Sequence, residues 1–255
     1  MDKIIQKSEI KKQIQLTKRD LEILEFVLEM KFSDLKTIHQ KFFTVTKSGH
    51  KSVSDWWARE RVGLLKKHGF LTAKRISFSG TSYFLATQLA QMALSNMCEG
   101  RSFVQPLDEI DIRTFEHDRL VIEARCALER LGRATKWYSE RRLKSEQYLT
   151  LGLARRYQPD AIYVNKLNEP VAFELEIAPK TIDRYEEKIR KYLEIIRSKK
   201  GFRAVLFVTK NDSVFNTLSE LTRRYQGEFK VEKLGDLLDS NDVLKVSEEE
   251  GVVNG

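Results

Sequence analysis

Cysteine, proline and histidine are all scarce in this chain of 255 residues, at two, four and four. Cys98 and Cys126 stand far apart, with no histidine at zinc-ligand spacing. That excludes a disulfide framework and a structural zinc site, and fits a reducing compartment. The four histidines (His39, His50, His68 and His117) form no cluster in the sequence. No apolar run reaches the roughly 18 residues that a membrane span needs, and Met1-Asp2-Lys3-Ile4-Ile5 lacks a signal-peptide h-region. A cytoplasmic protein without membrane insertion is therefore expected. Repeats and low-complexity tracts are absent as well. What is present is a hydrophobic content of 41%, enough for a core in one large domain or two small ones.

Positive charge is unevenly placed. Residues 1–105 carry 18 Lys and Arg against 10 Asp and Glu, whereas residues 106–255 carry 27 of each. The whole net charge of +8 thus lies in the first segment, which is the electrostatic footprint of a polyanion binder.

Hydrophobic periodicity divides the chain in the same way. Thr17 reads as the N-cap of a first helix containing Leu21, Leu24, Phe26, Val27 and Met30. A second helix opens at Ser33, and a third runs from about Ser52 to His68, ended by Gly69. A hairpin follows, from Phe70 to Phe78 and from Tyr83 to Ala86, turning at Ser79 to Ser82. Three helices and a hairpin are the order of a winged helix, a helix-turn-helix variant. A further helix, from Gln88 to about Met97, leads out of this domain, placed at 1–98. Residues 99–112 read as a linker, 113–240 as a second domain and 241–255 as a disordered tail.

In a helix-turn-helix the recognition helix enters the major groove. At about 100° per residue the third helix puts Trp57, Ala58, Leu64 and Leu65 on one side. Trp56, Arg59, Glu60, Gly63, Lys66 and Lys67 fall on the other. Arg59 and Lys66 are candidates for bases or phosphates, with Lys74 and Arg75 on the wing for flanking phosphates. Lys47, His50 and Lys51 precede the helix and extend the basic face. Arg61 projects from the apolar side, for which the sequence offers no reason.

The second domain reads as a long helix (Arg113 to Leu131), a strand (Thr135 to Leu143) and a carboxylate-bearing hairpin. A helix (Thr181 to Ser198), an apolar strand (Ala204 to Thr209), another helix (Val214 to Tyr225) and a short strand (Glu228 to Glu232) follow. The expected class is α/β in the broad sense, an α+β chain with a mixed central sheet. The hairpin holds Pro159-Asp160 before one strand and Glu174-Leu175-Glu176 at the end of the next. Residues two apart on a strand face the same way, so Glu174 and Glu176 share a face, with Asp160 opposite. Three converging carboxylates repel one another unless a cation neutralises them, and hard oxygen ligands suit Mg²⁺ or Mn²⁺. On the long helix, Glu116, His117 and Glu123 fall within about 60° of the line through Leu120, Ala124, Ala127 and Leu131. Asp118, Ile122 and Arg125 point away. Glu140 is a weaker candidate acid on the first strand. Tyr185 and Tyr192 read as core residues.

This order, with Asp on one central strand and Glu-x-Glu on the next, resembles the PD-(D/E)XK nuclease superfamily. Glu176 occupies the position of that motif's lysine. The resemblance implies that Asp160, Glu174 and Glu176 hold one or two Mg²⁺ or Mn²⁺ ions, with Glu116 or Glu123 adding an acid from the long helix. Lys180 or Lys188 would supply the missing positive charge, Lys188 being the better placed. The combination with a winged helix, spanning about Leu16 to Leu234, resembles the replication-relaxation family of plasmid and mobile-element proteins. It rests further on Leu16-Thr17-Lys18-Arg19-Asp20, Phe115-Glu116-His117-Asp118, Arg184-Tyr185 and Tyr192. Within that group the chain is similar to MobC-type relaxases. That implies metal-dependent nicking of one strand at a plasmid origin of transfer in mobilisation and conjugation, with DNA and a type IV coupling protein or other conjugation proteins as partners. Whether water or a side chain attacks stays open. A non-catalytic DNA-binding protein with a degenerate nuclease fold, acting as a plasmid replication accessory factor or repressor, is the alternative. A transposase subunit or restriction-type endonuclease is a third.

Overall fold

The computed structural model describes residues 14–44, 54–76, 79–98, 100–145, 157–199 and 201–240. The chain divides into two compact units, residues 1–119 and 120–255.

In the first unit, α1 (Lys18–Glu29) begins at Thr17 as the sequence suggests, with a reciprocal cap. The Thr17 amide and hydroxyl donate to the Asp20 carboxylate at 2.6 and 2.7 Å, and the Asp20 amide donates to the Thr17 hydroxyl at 3.3 Å. These bonds satisfy donors that a helix start leaves open. Ile23, Leu24, Val27 and Leu28 then turn inward. The second helix starts two residues later than expected. Ser33 and Asp34 form a short strand β1, and Asp34 caps α2 (Leu35–Phe42) by accepting from the Thr37 amide at 2.7 Å. Next come α3 (Trp56–Lys67), β2 (Leu71–Arg75), β3 (Ser82–Ala86) and α4 (Gln88–Met97). The three strands form an antiparallel sheet in the order β1-β3-β2. Gly69 ends α3 with φ +80°, a left-handed conformation that suits glycine, and its amide reaches the Lys66 carbonyl.

Arg61 now has its reason. Its guanidinium binds both oxygens of Asp20, whose side chain is fully buried, and donates to the Gln15 carbonyl at 3.0 Å. An arginine on the inner side of α3 thus fastens that helix to the cap of α1. Burial works against the Asp20 charge, yet Arg61 and Thr17 hold its carboxyl below the usual range.

Residues 100–112, read from sequence as linker, belong to the first unit. Arg101 pairs with Glu25, and the Gln91 amide side chain donates to the Phe103 carbonyl at 3.2 Å. The helix α5 (Phe115–Arg130) carries the division between the units. Its first residue, Phe115, stacks on Phe32 at 5.3 Å and meets Tyr83 edge-on at 5.1 Å. Asp118, expected to point outward, is buried on Lys31 at 2.6 Å and accepts from the Thr114 hydroxyl at 2.8 Å. Ile122 is buried too, whereas Glu116 is exposed. The buried stripe is therefore rotated from the one that a line through Leu120 predicts.

The second unit is built on a five-stranded mixed sheet in the order β4-β5-β6-β7-β8. Its strands are β4 (Lys136–Ser139), β5 (Ala161–Val164), β6 (Pro170–Glu176), β7 (Ala204–Thr209) and β8 (Phe229–Lys233). The first three pair antiparallel, and β6, β7 and β8 run parallel. The strand expected at 135–143 is shorter: from Glu140 the chain turns into α6 (Glu140–Ser145), where Glu140 pairs with Lys144 one turn on. Helices α7 (Ile182–Ser198), α8 (Asp212–Thr222, continued by a 3-10 turn at Arg223–Tyr225) and α9 (Leu234–Asp239) complete the unit. Strand β6 is buried from Val171 to Glu176 and β7 from Val205 to Thr209, because both faces of the sheet are covered. On one face Trp137 stacks with Tyr163 and leans on Phe173, with the Arg125 guanidinium of α5 over its ring. On the other, Ile162, Ala172, Val205 and Phe207 pack against Tyr185, Ile189 and Tyr192 of α7 and Val214 and Leu218 of α8.

The buried Asp20–Arg61 pair yields a stability prediction. Asp20→Ala leaves a partly buried guanidinium uncompensated and should lower the urea-unfolding free energy by about 2–4 kcal/mol, followed on the full chain by circular dichroism. Because the Asp20 pKa is lowered on folding, its contribution is present above about pH 4 and fades as pH falls through the lowered value. The deficit of the variant should accordingly shrink in acid, and a deficit unchanged by pH would contradict the pairing.

Candidate active site

Two glutamates on the inner face of a central strand are the focus of the second unit. Glu174 and Glu176 lie on β6, both nearly inaccessible to solvent at 3% and 2% exposure. The alternation of the strand turns them, with Ala172, toward α7, while Phe173 faces the other way. Ala161 of β5 is in register with Phe173, so Asp160, one residue earlier, falls across from Glu174. Its Oδ2 accepts from the Leu175 amide at 2.8 Å, which ties the start of one strand to the end of the next.

The cations come from α7 and from the turn before it. Tyr185, Lys188 and Tyr192 are spaced by three and four residues and so share one helical face. Lys188 extends its ammonium to Glu174 Oε2 at 2.7 Å and to Glu176 Oε1 at 3.3 Å. The Tyr192 hydroxyl donates to the other oxygen, Oε1, of Glu174. Lys180 is exposed at the end of its loop and reaches Glu176 at 2.6 Å, while its amide donates to the Tyr185 hydroxyl at 3.2 Å. Every oxygen of Glu174 therefore has a donor, and Glu176 is held from two sides.

Burial is nevertheless the larger influence on Glu174. It raises the carboxyl to about 7, against the pull of Lys188 and with the push of Asp160 and Glu176. Burial lowers the Lys188 ammonium, but the two glutamates overcome it and the net shift is upward. Tyr192 is pushed well above its ordinary value, first by burial and then by Glu174. Near neutral pH the site holds a proton that Glu174 can keep or release.

The structure brings together Asp160, Glu174, Glu176, Lys180 and Lys188, all of which the sequence singles out. It adds Tyr192, which sequence treats as plain core. The signal for its role was available, since Tyr192 lies one turn after Lys188 on the same face. Glu116 and Glu123 are not gathered in. Glu116 is exposed and belongs to the first unit, and Glu123 is half-buried on α5. At the start of α7, a helix whose periodicity in sequence (Ile182, Tyr185, Ile189, Leu193 and Ile196) suggests an apolar stripe, Ile182 is instead 58% exposed. Helical packing there begins only at Tyr185.

A metal ion would find the right donors here but not a finished set. Carboxylate oxygens are hard ligands of the kind Mg²⁺ and Mn²⁺ prefer. Among the described residues, however, no group of three or more His, Cys, Asp or Glu side chains is placed to hold an ion. The cation that neutralises the buried glutamates is the lysine. A divalent ion would have to draw Asp160 and Glu174 together and take Glu174 Oε2 from Lys188.

In the first unit, the inner face of α3 is made by Ala58, Val62 and Leu65. Trp57 and Leu64, expected inside, are 62% and 39% exposed. Arg59 is exposed and pairs with Asp55 at 2.7 Å. Lys66, Lys67, Lys74 and Arg75 all face solvent, as does Trp56. Lys47, His50 and Lys51 lie outside the described residues.

The lysine bridge makes a sharp prediction. Lys188→Met should cost about 3–5 kcal/mol near pH 8, because it leaves buried carboxylates unpaired. Glu174 has a folded pKa raised above its unfolded value of 4.5, so its favourable contribution is complete below that value and is lost as pH rises through about 7. The penalty of the variant should therefore be smaller near about pH 5 than near pH 8, and adding Glu174→Gln should restore part of it. Urea unfolding at both pH values measures this. Equal penalties would show that protonating Glu174 does not relieve the loss of the ammonium and would contradict the pairing.

No protein-family model, curated protein or solved structure matches the chain.

Proposed function

We propose that the protein is a divalent-metal-dependent DNA endonuclease, narrowed by the sequence resemblance to a single-strand nickase of the relaxase kind. In this reading the second unit has the PD-(D/E)XK nuclease fold, and the first is a winged helix that binds DNA. The observation that carries the proposal is the buried Glu174–Lys188–Glu176 cluster beside Asp160. Acids at the ends of adjacent strands and a cation from α7 are here held together at a considerable cost in desolvation. A fold gains little stability from such a cluster, which favours a use for it.

Asp160 and Glu174 would hold the ion, with Glu176 next to it. When bound, Mg²⁺ or Mn²⁺ would polarise the scissile phosphate and lower the pKa of the attacking nucleophile. The remaining work belongs to the chain. Lys188 keeps its charge in a buried setting, where an ammonium offsets charge developing on a phosphate far better than in water. Lys180, exposed and paired with Glu176, offers a second positive group on the solvent side. Tyr192 fixes Glu174 through Oε1, so that Oε2, held by Lys188, is the oxygen that would turn to the ion. On the first unit, Lys66, Lys67, Lys74 and Arg75 supply phosphate contacts.

A second reading has its own observation. Lys188 and Lys180 already satisfy both glutamates, as they would in a nuclease fold kept only as a scaffold by a non-catalytic DNA-binding protein.

Supercoiled plasmid DNA incubated with Mn²⁺ separates the two. The enzyme reading expects open-circular product and a loss of at least about a hundredfold in rate for Glu174→Gln, with DNA affinity retained. Nicking that persists in that variant removes the assigned site, and binding without nicking selects the scaffold. For the first unit, Lys66→Ala with Lys67→Ala should weaken binding to all DNA sequences alike. It should also reduce the salt dependence of the binding constant by about one to two counterions.

A further inference from the structure

The exposed face of α3 carries a feature that phosphate binding leaves unused. Trp56 and Trp57 are 51% and 62% exposed, their rings 4.4 Å apart and nearly perpendicular at 78°. They form a corner with two indole faces. Leu64 lies two turns along from Trp57, and Gly63 two turns along from Trp56. Leu64 is exposed as well. A Cβ built on Gly63 would meet nothing within 4 Å. Glycine inside a helix costs about 1 kcal/mol relative to alanine, and here neither a tight contact nor a positive φ requires it. Its effect is to leave a bare patch on the same side of α3 as Trp56, about 10 Å further along the axis.

The surroundings favour a polyanion. On α3 the exposed cations are Arg59, Lys66 and Lys67, against the carboxylates of Asp55 and Glu60, and β2 of the same unit exposes Lys74 and Arg75. An indole, however, is a poor reader of duplex DNA. It offers one N–H donor and no bidentate pattern for a base edge. Its strong interaction with a nucleobase is face-to-face stacking, which requires a base that is out of its own stack.

We infer that the corner formed by Trp56 and Trp57, extended by Gly63 and Leu64, stacks an unpaired nucleobase, so that the first unit binds DNA that is locally single-stranded. The inference rests on the DNA-binding reading above and deepens it by specifying melted DNA.

The test uses the full chain with labelled oligonucleotides: a duplex, the same duplex with a central bubble of unpaired thymines, and the thymine-rich single strand. The bubble should bind about tenfold tighter than the duplex, within the range that one stacked base contributes, and should quench tryptophan fluorescence. Trp57→Ala should bring the bubble-to-duplex affinity ratio close to one. Gly63→Leu should do the same while raising thermal stability slightly, which separates a blocked surface from a damaged fold. Equal affinity of the unaltered chain for duplex and bubble overturns this inference and leaves the endonuclease reading standing. Absence of binding to any of the three DNAs overturns both. Concentration-dependent self-association abolished by Trp57→Ala would assign the corner to a second copy of the chain and overturn the stacking proposal.

Discussion

Lys188 stands between two glutamates that could not otherwise remain inside the second unit. Glu174 and Glu176 face a helix across a sheet whose neighbouring positions are Ala172, Val205 and Phe207, an environment that disfavours charge. The ammonium reaches both carboxylates, Tyr192 closes the far side of Glu174, and Lys180 enters from solvent. Each part depends on the next. The helix must present Tyr185, Lys188 and Tyr192 on one face, β6 must turn both glutamates toward it, and β5 must start beside Glu174 to bring in Asp160. A polar cluster of this kind restricts how α7 can sit on the sheet, because a shift of one residue would strand a charge.

The first unit uses the same device more economically. Asp20 caps α1 and simultaneously receives Arg61 from α3, so a local helix-start signal becomes a tertiary clasp. Asp118 and Lys31 repeat the motif near Phe115, where an aromatic cluster of Phe32, Tyr83 and Phe115 seats the beginning of α5. In both places of the first unit a buried charge has its counter-charge far away in the sequence. Sequence periodicity has no access to such pairs. It reported Arg61 as an anomaly and turned Asp118 outward, because the buried line of the long helix was drawn through Leu120.

The candidate site was legible to a considerable degree. Two carboxylates at alternate positions of an apolar strand can only share a face, and a hairpin with a short turn restricts where Asp160 can lie. Lys188 was visible as a charge at the flank of an apolar helical stripe. Hidden from sequence was how far the chain's own lysines neutralise the carboxylates before any ion binds. Lysines from α7 and its preceding turn satisfy Glu174 and Glu176, and distance in the chain hides that until the helix docks. An error did occur on α3. Trp57 and Leu64 were assigned to the interior because large apolar side chains belong there on average, yet the helix buries Ala58, Val62 and Leu65 and exposes the larger residues.

By itself the sequence determined the order of elements, the cap at Thr17, the shared face of Glu174 and Glu176 and the concentration of positive charge in the first 105 residues. These follow from periodicity, capping chemistry and composition, which act over a few residues or are simple counts. Only the tertiary structure decided the rotation of α3 and α5, the end of β4 at Ser139, the clasp between Asp20 and Arg61 and the lysine that neutralises the buried glutamates. Those depend on which surfaces meet, and a burial energy shared among residues far apart in the chain outweighs the local preference of any one of them.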